Sequence, residues 1–221
     1  YNAVDLDQFS PAGAAVDIDA LAGMATLPLG TVRVGLVATM ARWKGHEVFL
    51  RAIAELPAGA RSRMRAYVIG GAIYPTRGSQ VSPDELRASA ERLGISDCVG
   101  FTGFVDDVAS AIRALDVVVH ASTEPEPFGL AIVEAMACGK PVIVSAAGGA
   151  AEIAQLCGGA ILHPPGDSAV LAGCIDRLIC NPSERATLGA AGRASAEKFF
   201  RRTRLADEII PIFERVTGAN L

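Results

Sequence analysis

The chain has 221 residues, long enough to bury one substantial hydrophobic core, and 51% of them are apolar. This composition excludes a disordered chain, and a net charge of −4 with thinly spread basic residues argues against a basic face for nucleic acid. The five cysteines include no Cys-x-x-Cys pair, so we expect buried, reduced thiols rather than a zinc site or a disulfide framework.

Apolar strands and helical segments alternate along most of the chain. The irregular stretch 2–29 holds one short predicted helix, and the regular alternation begins after it. Strands are predicted at 32–38, 66–69, 98–102, 116–120, 141–145 and 159–162, where short apolar runs are bounded by Gly, Pro or polar residues. Helices are predicted at 16–24, 46–56, 83–93, 105–115, 128–138, 150–156, 168–180, 183–199 and 203–216.

This alternation predicts the fold class. Strands that are almost wholly apolar, each followed by a helix, are typical of a parallel sheet covered on both faces. We therefore expect an α/β protein with a Rossmann-like, doubly wound parallel sheet. Ligands of such sheets bind beyond the carboxyl ends of the strands, so the loops after residues 38, 69, 102, 120 and 145 are the places to look for a site.

The loop after the fourth predicted strand has the features of an anion site. It reads Ala-Ser-Thr-Glu-Pro-Glu-Pro-Phe-Gly-Leu and enters the predicted helix 128–138 directly. Gly129 allows the backbone to come close to a ligand. The amides of Phe128, Gly129 and Leu130 are expected at a helix N-terminus, where unpaired donors and the helix dipole both favour an anion.

Two glutamates flank this helix entry. Glu134 is the only charge in an otherwise apolar helix, where an unpaired carboxylate is costly, so it needs a hydrogen-bonding partner that a ligand hydroxyl can supply. Glu126 precedes the helix on the ligand side of the loop. Each acid also has a structural interpretation, because Glu134 could pair with a nearby loop amide and Glu126 could be a solvated acid beside Glu124. Their spacing around Pro-Phe-Gly-Leu favours a binding function for the two together.

The stretch that begins at Glu126 resembles a known family. Its sequence, Glu-Pro-Phe-Gly-Leu-Ala-Ile-Val-Glu-Ala-Met-Ala-Cys-Gly-Lys-Pro-Val-Ile, is similar to the signature of glycosyltransferase family 4, the group 1 retaining enzymes with the two-domain GT-B fold. Further similarities follow in the expected order at residues 2–10, 43–45, 99–103, 148–152 and 163–167. The resemblance implies the C-terminal half of a GT-B glycosyltransferase, with a leading segment at 1–30, a nucleotide-sugar-binding domain at 31–200 and, at 201–221, a helix packing toward a missing N-terminal domain.

The resemblance also implies a role for each matching residue. Glu126 would hydrogen-bond hydroxyls of the transferred sugar, and Glu134 would bind the ribose. The amides around Gly129 and Leu130 would receive the diphosphate, and the Lys44 ammonium would neutralise the leaving group. The backbone at Gly103, Phe104 and Val105 would face the base.

One position departs from the family pattern. The family usually has an arginine five residues before the lysine, where it also contacts the diphosphate, and this chain has Thr39 there. Arg42 lies in the same loop, two residues before Lys44. Either Arg42 supplies the charge from another direction, or the site uses one cation fewer.

The resemblance implies a retaining hexosyltransferase whose substrate is a nucleotide-diphosphate sugar and whose partner is the N-terminal acceptor-binding domain of the same enzyme. No cofactor and no metal are expected. Two alternatives remain. One is a nucleotide-binding domain that transfers nothing by itself, and the other is a different GT-B enzyme such as a sugar-nucleotide epimerase or a phosphorylase.

The location expected for the protein is the cytoplasm. No apolar run reaches the length of a membrane span, and the N-terminus lacks the order of a signal peptide. The chain starts at Tyr1 without an initiator Met, so we interpret it as a piece of a longer protein. Any peripheral membrane attachment would belong to the missing domain.

Three weaker signals are interpreted as structural. The loop at 70–80 lies on the ligand side of the sheet but is typical of a long connection. His120 ends a buried strand and is expected to be a hydrogen-bonded core residue. The Asp-x-Asp pairs at 5–7 and 17–19 match a metal-binding pattern, but they precede the sheet, and so no metal site is predicted.

Overall fold

A computed structural model describes residues 1–72 and 78–218 of the chain. Its strands are β1 (Val32–Val37), β2 (Met64–Ile69), β3 (Val99–Gly103), β4 (Val117–His120), β5 (Val142–Ser145) and β6 (Ala160–His163). Within that part of the chain these six strands form one parallel sheet in the order β3-β2-β1-β4-β5-β6. The predicted α/β, doubly wound fold is confirmed.

Helices connect the strands and cover both faces of the sheet. They are α1 (Ile18–Leu21), α2 (His46–Glu55), α3 (Ala58–Arg61), α4 (Pro83–Arg92), α5 (Val108–Arg113), α6 (Leu130–Ala137), α7 (Gly148–Leu156), α8 (Ser168–Cys180), α9 (Pro182–Phe199) and α10 (Thr203–Thr217). Apolar side chains of α2, α4 and α8 pack on one face, and those of α1, α5, α6, α7 and α9 pack on the other. Successive strand residues alternate between these two cores because side chains of a strand point to opposite faces.

The predicted elements are correct in kind, and their bounds differ from those of the structure by at most three residues. The helix expected at 105–115 begins only at Val108, because the Asp107 side chain caps it by accepting a hydrogen bond from the Ser110 amide. The helix expected at 128–138 begins at Leu130, because Gly129 adopts a φ of +91°, which a helix cannot include. The short helix α3 was not predicted from the sequence.

A buried ion cluster fixes the leading segment to the sheet. Asp19, 1% exposed, pairs with Arg33 at 2.9 Å and with Arg65 at 2.8 Å, and it also accepts a hydrogen bond from the Tyr67 hydroxyl. Burial alone raises the pKa of this carboxyl, but the three donors outweigh burial and lower the pKa to about 2. Asp17 caps α1. Asp17 and Asp19 therefore both have structural partners. The predicted domain boundary near residue 30 is a separate point and stays a prediction.

The C-terminal helix α10 has an unburied apolar side. No residue of α10 is buried by the part of the chain that the structure describes, and its exposed apolar side chains are Ile209, Ile210, Ile212, Phe213 and Val216. Among the helices of residues 1–72 and 78–218, none combines the length and the apolar character needed to cross a bilayer.

Candidate functional site

A cavity of about 300 Å³ opens beyond the carboxyl ends of β1, β2 and β4. The chain order reverses between β1 and β4, which lie side by side, and a doubly wound sheet has its ligand crevice at such a reversal. Seven of the predicted site residues line this cavity, and they are Lys44, Phe104, Val105, Glu126, Gly129, Leu130 and Glu134. The fold therefore brings together residues that lie up to 90 positions apart in sequence.

The loop that contains Glu126 is fixed by close backbone packing against α7. The Glu126 carbonyl accepts a hydrogen bond of 2.7 Å from the Gly149 amide. A Cβ atom at Gly148 would lie 2.5 Å from that carbonyl oxygen, and one at Gly149 would lie 2.3 Å from the Pro127 oxygen. Both positions therefore require glycine, and the fit places the N-terminus of α6 at the wall of the cavity.

The turn that carries Lys44 is seated equally closely against the end of β4. Residues Arg42–Lys44 form a 3-10 turn, and Gly45 follows it with a φ of +76° and starts α2. A Cβ atom at Gly45 would lie 1.8 Å from the Ala121 oxygen. The Trp43 carbonyl accepts a hydrogen bond of 2.8 Å from the Thr123 amide, which holds the turn beside the cavity.

Glu126 is the most heavily hydrogen-bonded acid of the cavity. Its Oε2 atom lies 2.6 Å from Lys44 Nζ, 3.3 Å from His120 Nε2 and 3.2 Å from Ser122 Oγ. Burial raises the pKa of this carboxyl, but the donors around it outweigh burial and lower the pKa to about 2. Glu126 is therefore ionised at neutral pH, and its interpretation as a solvated loop acid is wrong because the residue is 7% exposed.

Glu134 has the opposite environment. Its side chain makes no hydrogen bond or ion pair within residues 1–72 and 78–218, so the alternative pairing with a loop amide is not seen there. Burial raises the pKa of this carboxyl to about 7. Two acids in one cavity thus differ by about five pKa units, and Glu134 is the one that still needs hydrogen-bonding partners.

The raised pKa of Glu134 predicts how its replacement affects stability. The folded pKa of about 7 lies above the ordinary value of 4.5, so the carboxyl costs nothing below pH 4.5, destabilises the fold increasingly between pH 4.5 and about 7, and costs a constant amount above that. Glu134→Gln should therefore raise the free energy of unfolding by on the order of 2 kcal/mol at pH 8 and change it little at pH 4.5. Urea unfolding of both proteins at the two pH values measures this difference. The exposed Glu91→Gln is the control, and an equal effect of both substitutions would contradict the expectation.

Three of the predicted residues, Arg42, Phe128 and Gly103, do not line this cavity. Arg42 pairs with Glu85 at 2.8 Å and donates to the Gly78 carbonyl at 3.2 Å, which turns its guanidinium away from the cavity. The Phe128 ring packs on other aromatic rings instead. Gly103 is not part of the wall, and its carbonyl accepts a hydrogen bond from the Gly70 amide.

Two residues of the site, His120 and Ser122, were not predicted as site residues from the sequence. His120 and Ser122 line the cavity and contact Glu126, whereas His120 was expected to be a hydrogen-bonded core residue. His120 is indeed buried and hydrogen-bonded through Nε2, while its Nδ1 has no hydrogen-bond partner among the described residues. The available signal was their position directly at the carboxyl end of a strand. Gly70 and Gly71 also line the cavity, while residues 73–77 of the same loop, which include Tyr74, lie outside the described residues.

The described cavity wall contains one cation, Lys44. Within residues 1–72 and 78–218 no three His, Cys, Asp or Glu side chains form a group able to hold a metal ion. A reaction that needs neither metal nor cofactor stays a prediction.

The sequence is similar to known sugar-transferring proteins. Residues 26–195 match the family model described as glycosyl transferases group 1. The chain is 36% identical over 179 residues to D-inositol 3-phosphate glycosyltransferase 2 of Catenulispora acidiphila, covering 78% of this chain and 41% of that protein. It is 32% identical over 222 residues to D-inositol 3-phosphate glycosyltransferase of Saccharomonospora viridis, covering 98% and 49%. The chain thus spans about half the length of the curated relatives it matches.

The chain is also similar in structure to solved proteins. Anabaena Alr3699/HepE in complex with UDP and glucose superposes with a TM-score of 0.83 at 31% identity, over 97% of this chain and 55% of that one. The C-terminal domain of a glycosyl transferase group 1 family protein (LpcC) from Francisella tularensis superposes with a TM-score of 0.72 at 28% identity, over 90% and 99%.

Proposed function

The chain belongs to the group 1 glycosyl transferases, and on that basis we propose that it is the donor-binding half of an enzyme that transfers a sugar from a nucleoside diphosphate sugar. The observation that carries the proposal is the meeting of a helix N-terminus, an ammonium group and two unlike carboxyl groups in one cavity. Each of these groups suits a different part of such a donor. The Anabaena protein of the same fold was crystallised with UDP and glucose, which makes UDP the first nucleotide to test.

The diphosphate is assigned to the start of α6 and to Lys44. The first amides of a helix have no intrahelical acceptor, and the helix dipole adds a partial positive charge there. Gly129 and Leu130 line the cavity at this point, and Lys44 lines the same cavity. Charge that develops on the departing diphosphate is stabilised by such fixed donors without reorganisation, which is how electrostatic catalysis works.

The two glutamates are assigned to the two sugars of the donor. Glu134 has an unpaired carboxyl in the cavity, so ribose hydroxyls would satisfy it. Glu126 is ionised and fixed, and it lies on the loop before the diphosphate site, where the transferred sugar would lie. The backbone at Phe104 and Val105 is left for the base, and Phe104 offers an apolar side chain that is 65% exposed.

The assignment of Glu134 to the ribose makes a specific prediction. The unaltered chain should bind UDP more tightly than 2′-deoxy-UDP, and Glu134→Gln should weaken UDP binding by about tenfold while reducing that preference. Calorimetry with the two nucleotides measures both effects, and Glu91→Gln is the control. GDP and ADP belong in the same titration because the base is open. A preference for UDP over its deoxy form that survives in Glu134→Gln would contradict the assignment.

We also propose that transfer retains the anomeric configuration, with attack from the face that the diphosphate leaves. The hydrogen bonds on Glu126 argue against a covalent intermediate on this residue, because a carboxylate stabilised by donors such as His120 and Ser122 is a poor nucleophile. Electrostatic stabilisation of the leaving group by Lys44 and the helix N-terminus then carries the reaction. NMR of the product should show the anomeric configuration of the donor, and an inverted product would exclude this mechanism.

A second domain is the proposed partner. The chain spans about half of its relatives, and the apolar side of α10 is uncovered by the described residues, as expected of a helix that packs on another domain. Donor and acceptor must be held together for reaction, so we propose that this chain binds nucleotide and transfers nothing alone. Calorimetry beside a turnover assay separates binding from transfer. Measurable transfer by the 221 residues would contradict the binding-only role.

A further inference from the structure

The two carboxylate oxygens of Glu126 have different surroundings. Oε2 accepts all three hydrogen bonds, from Lys44 Nζ, His120 Nε2 and Ser122 Oγ. Oε1 accepts none within the part of the chain that the structure describes, although Glu126 lines the cavity. The Glu126 carboxylate is thus held through Oε2, and Oε1 is left to accept a hydrogen bond from a ligand hydroxyl.

Of the three donors, Lys44 is the one that a bound diphosphate would compete for. Lys44 lines the same cavity as Gly129 and Leu130 at the N-terminus of α6, where the diphosphate is assigned. A diphosphate carries more negative charge than one carboxylate, so it attracts the ammonium more strongly. When Lys44 binds the diphosphate, the hydrogen bonds from His120 and Ser122 are the ones that still position Glu126.

The geometry of these two residues fixes the direction of their hydrogen bonds. A carboxylate can only accept, so the proton of the His120 ring is assigned to Nε2. Ser122 Oγ lies 3.1 Å from Nε2 and 3.2 Å from Glu126 Oε2, so it donates to the acid and shares the single Nε2 proton with it as an acceptor. His120 Nδ1 has no partner among the described residues, so the hydrogen-bonding role of the ring lies on its Nε2 side.

Side chains at the ends of β5 and β6 form hydrogen bonds with the backbone of His120 and Ser122. Ser145 Oγ donates to the Ser122 carbonyl at 2.6 Å, and His163 Nε2 lies 3.2 Å from the His120 carbonyl oxygen. These contacts come from the ends of β5 and β6, so three adjacent strands fix the position of the donors. Such support gives a side chain a defined position before any ligand arrives.

We propose that His120, together with Ser122, is a positioning element that keeps Glu126 turned toward the transferred sugar while Lys44 engages the diphosphate. The inference rests on the proposed function, because it takes Glu126 as the sugar-binding acid. His120 acts through Glu126, and its effect therefore concerns the sugar part of the donor more than the nucleotide part.

Two amide variants of His120 test this role. The amide nitrogen of glutamine reaches the position of Nε2, whereas that of asparagine reaches only the position of Nδ1. In the complete protein, His120→Asn should lower the rate of UDP-glucose hydrolysis by about tenfold or more, and His120→Gln should stay within about threefold of the unaltered protein. The affinity for UDP, measured by calorimetry on this chain, should change by less than about threefold in both variants, because UDP lacks the transferred sugar that Glu126 is assigned to bind.

The outcomes separate the alternatives. Unchanged hydrolysis in His120→Asn overturns the inference, and so does a parallel loss of UDP affinity and thermal stability in both variants, which would make His120 a purely structural residue. Ser122→Ala gives a second measurement and should lower hydrolysis in the same direction. If Glu126→Gln itself leaves hydrolysis unchanged, the assignment of Glu126 to the sugar fails, which is a failure of the proposed function and not of the positioning role.

Discussion

Lys44→Ala should lower the rate of UDP-glucose hydrolysis by the complete protein by about 10²–10³-fold, the cost of removing one preorganised donor to a developing anion. The effect is large because Lys44 is the one cation of the described cavity wall, while Arg42 is paired with Glu85 outside it. The affinity for UDP should also fall, whereas that for uridine, which has no phosphate, should stay within about twofold.

The control for this substitution is Lys198→Ala. Lys198 is exposed on α9 and takes no part in the cavity, so its removal deletes the same charge from the chain without touching the site. Lys44→Ala also removes one of three donors from the buried Glu126, which should lower the free energy of unfolding by about 1–3 kcal/mol. Rates must therefore be measured where circular dichroism shows the variant folded. Hydrolysis within about threefold of the unaltered protein under those conditions would contradict the role of Lys44.

Gly45→Ala is expected to disrupt both the fold and the site. The added Cβ would lie 1.8 Å from the Ala121 carbonyl oxygen, so the turn that carries Lys44 must move away from β4. Overlap with backbone cannot be relieved by a rotamer change, and the φ of +76° adds strain of about 1 kcal/mol. The free energy of unfolding should fall by more than about 3 kcal/mol, and UDP binding by the remaining folded protein should be lost.

A second glycine, Gly166, separates the effect of the steric overlap at Gly45 from the effect of its backbone strain. Gly166 has a φ of +77°, nearly that of Gly45, but among the described residues other than its chain neighbours no atom lies within 4 Å of the Cβ position. Gly166→Ala should therefore cost only about 1 kcal/mol and leave UDP binding unchanged. Urea unfolding and calorimetry on both variants make the comparison. Equal behaviour of the two would show that the Lys44 turn is not seated against β4 as described.

The strands of the sheet could be predicted from sequence because each strand is specified by residues that are neighbours in the chain. An apolar run such as that of β1 or β5 is bounded by breakers, and each strand was found within two residues of its expected bounds. Helix starts were less accurate because they depend on single capping residues. Asp107 caps α5 from outside the helix, and Gly129 takes a left-handed conformation just before α6.

The site was predicted in part, through the resemblance and the strand-end rule. These brought Lys44, Glu126 and Glu134 to one place, and the structure puts all three at the same cavity. The pairing of Lys44 with Glu126 joins residues 82 positions apart, and that of Arg42 with Glu85 joins residues 43 apart. Such contacts depend on how loops from different strands pack, which no local pattern encodes.

A crystal structure of the chain grown with UDP-glucose tests most directly whether this one cavity holds a nucleoside diphosphate sugar. We expect diphosphate oxygens about 3 Å from the Leu130 amide and Lys44 Nζ, with ribose hydroxyls on Glu134. Nucleotide bound elsewhere on the chain, or bound in the cavity with its phosphates away from Lys44 and its ribose away from Glu134, would contradict the account.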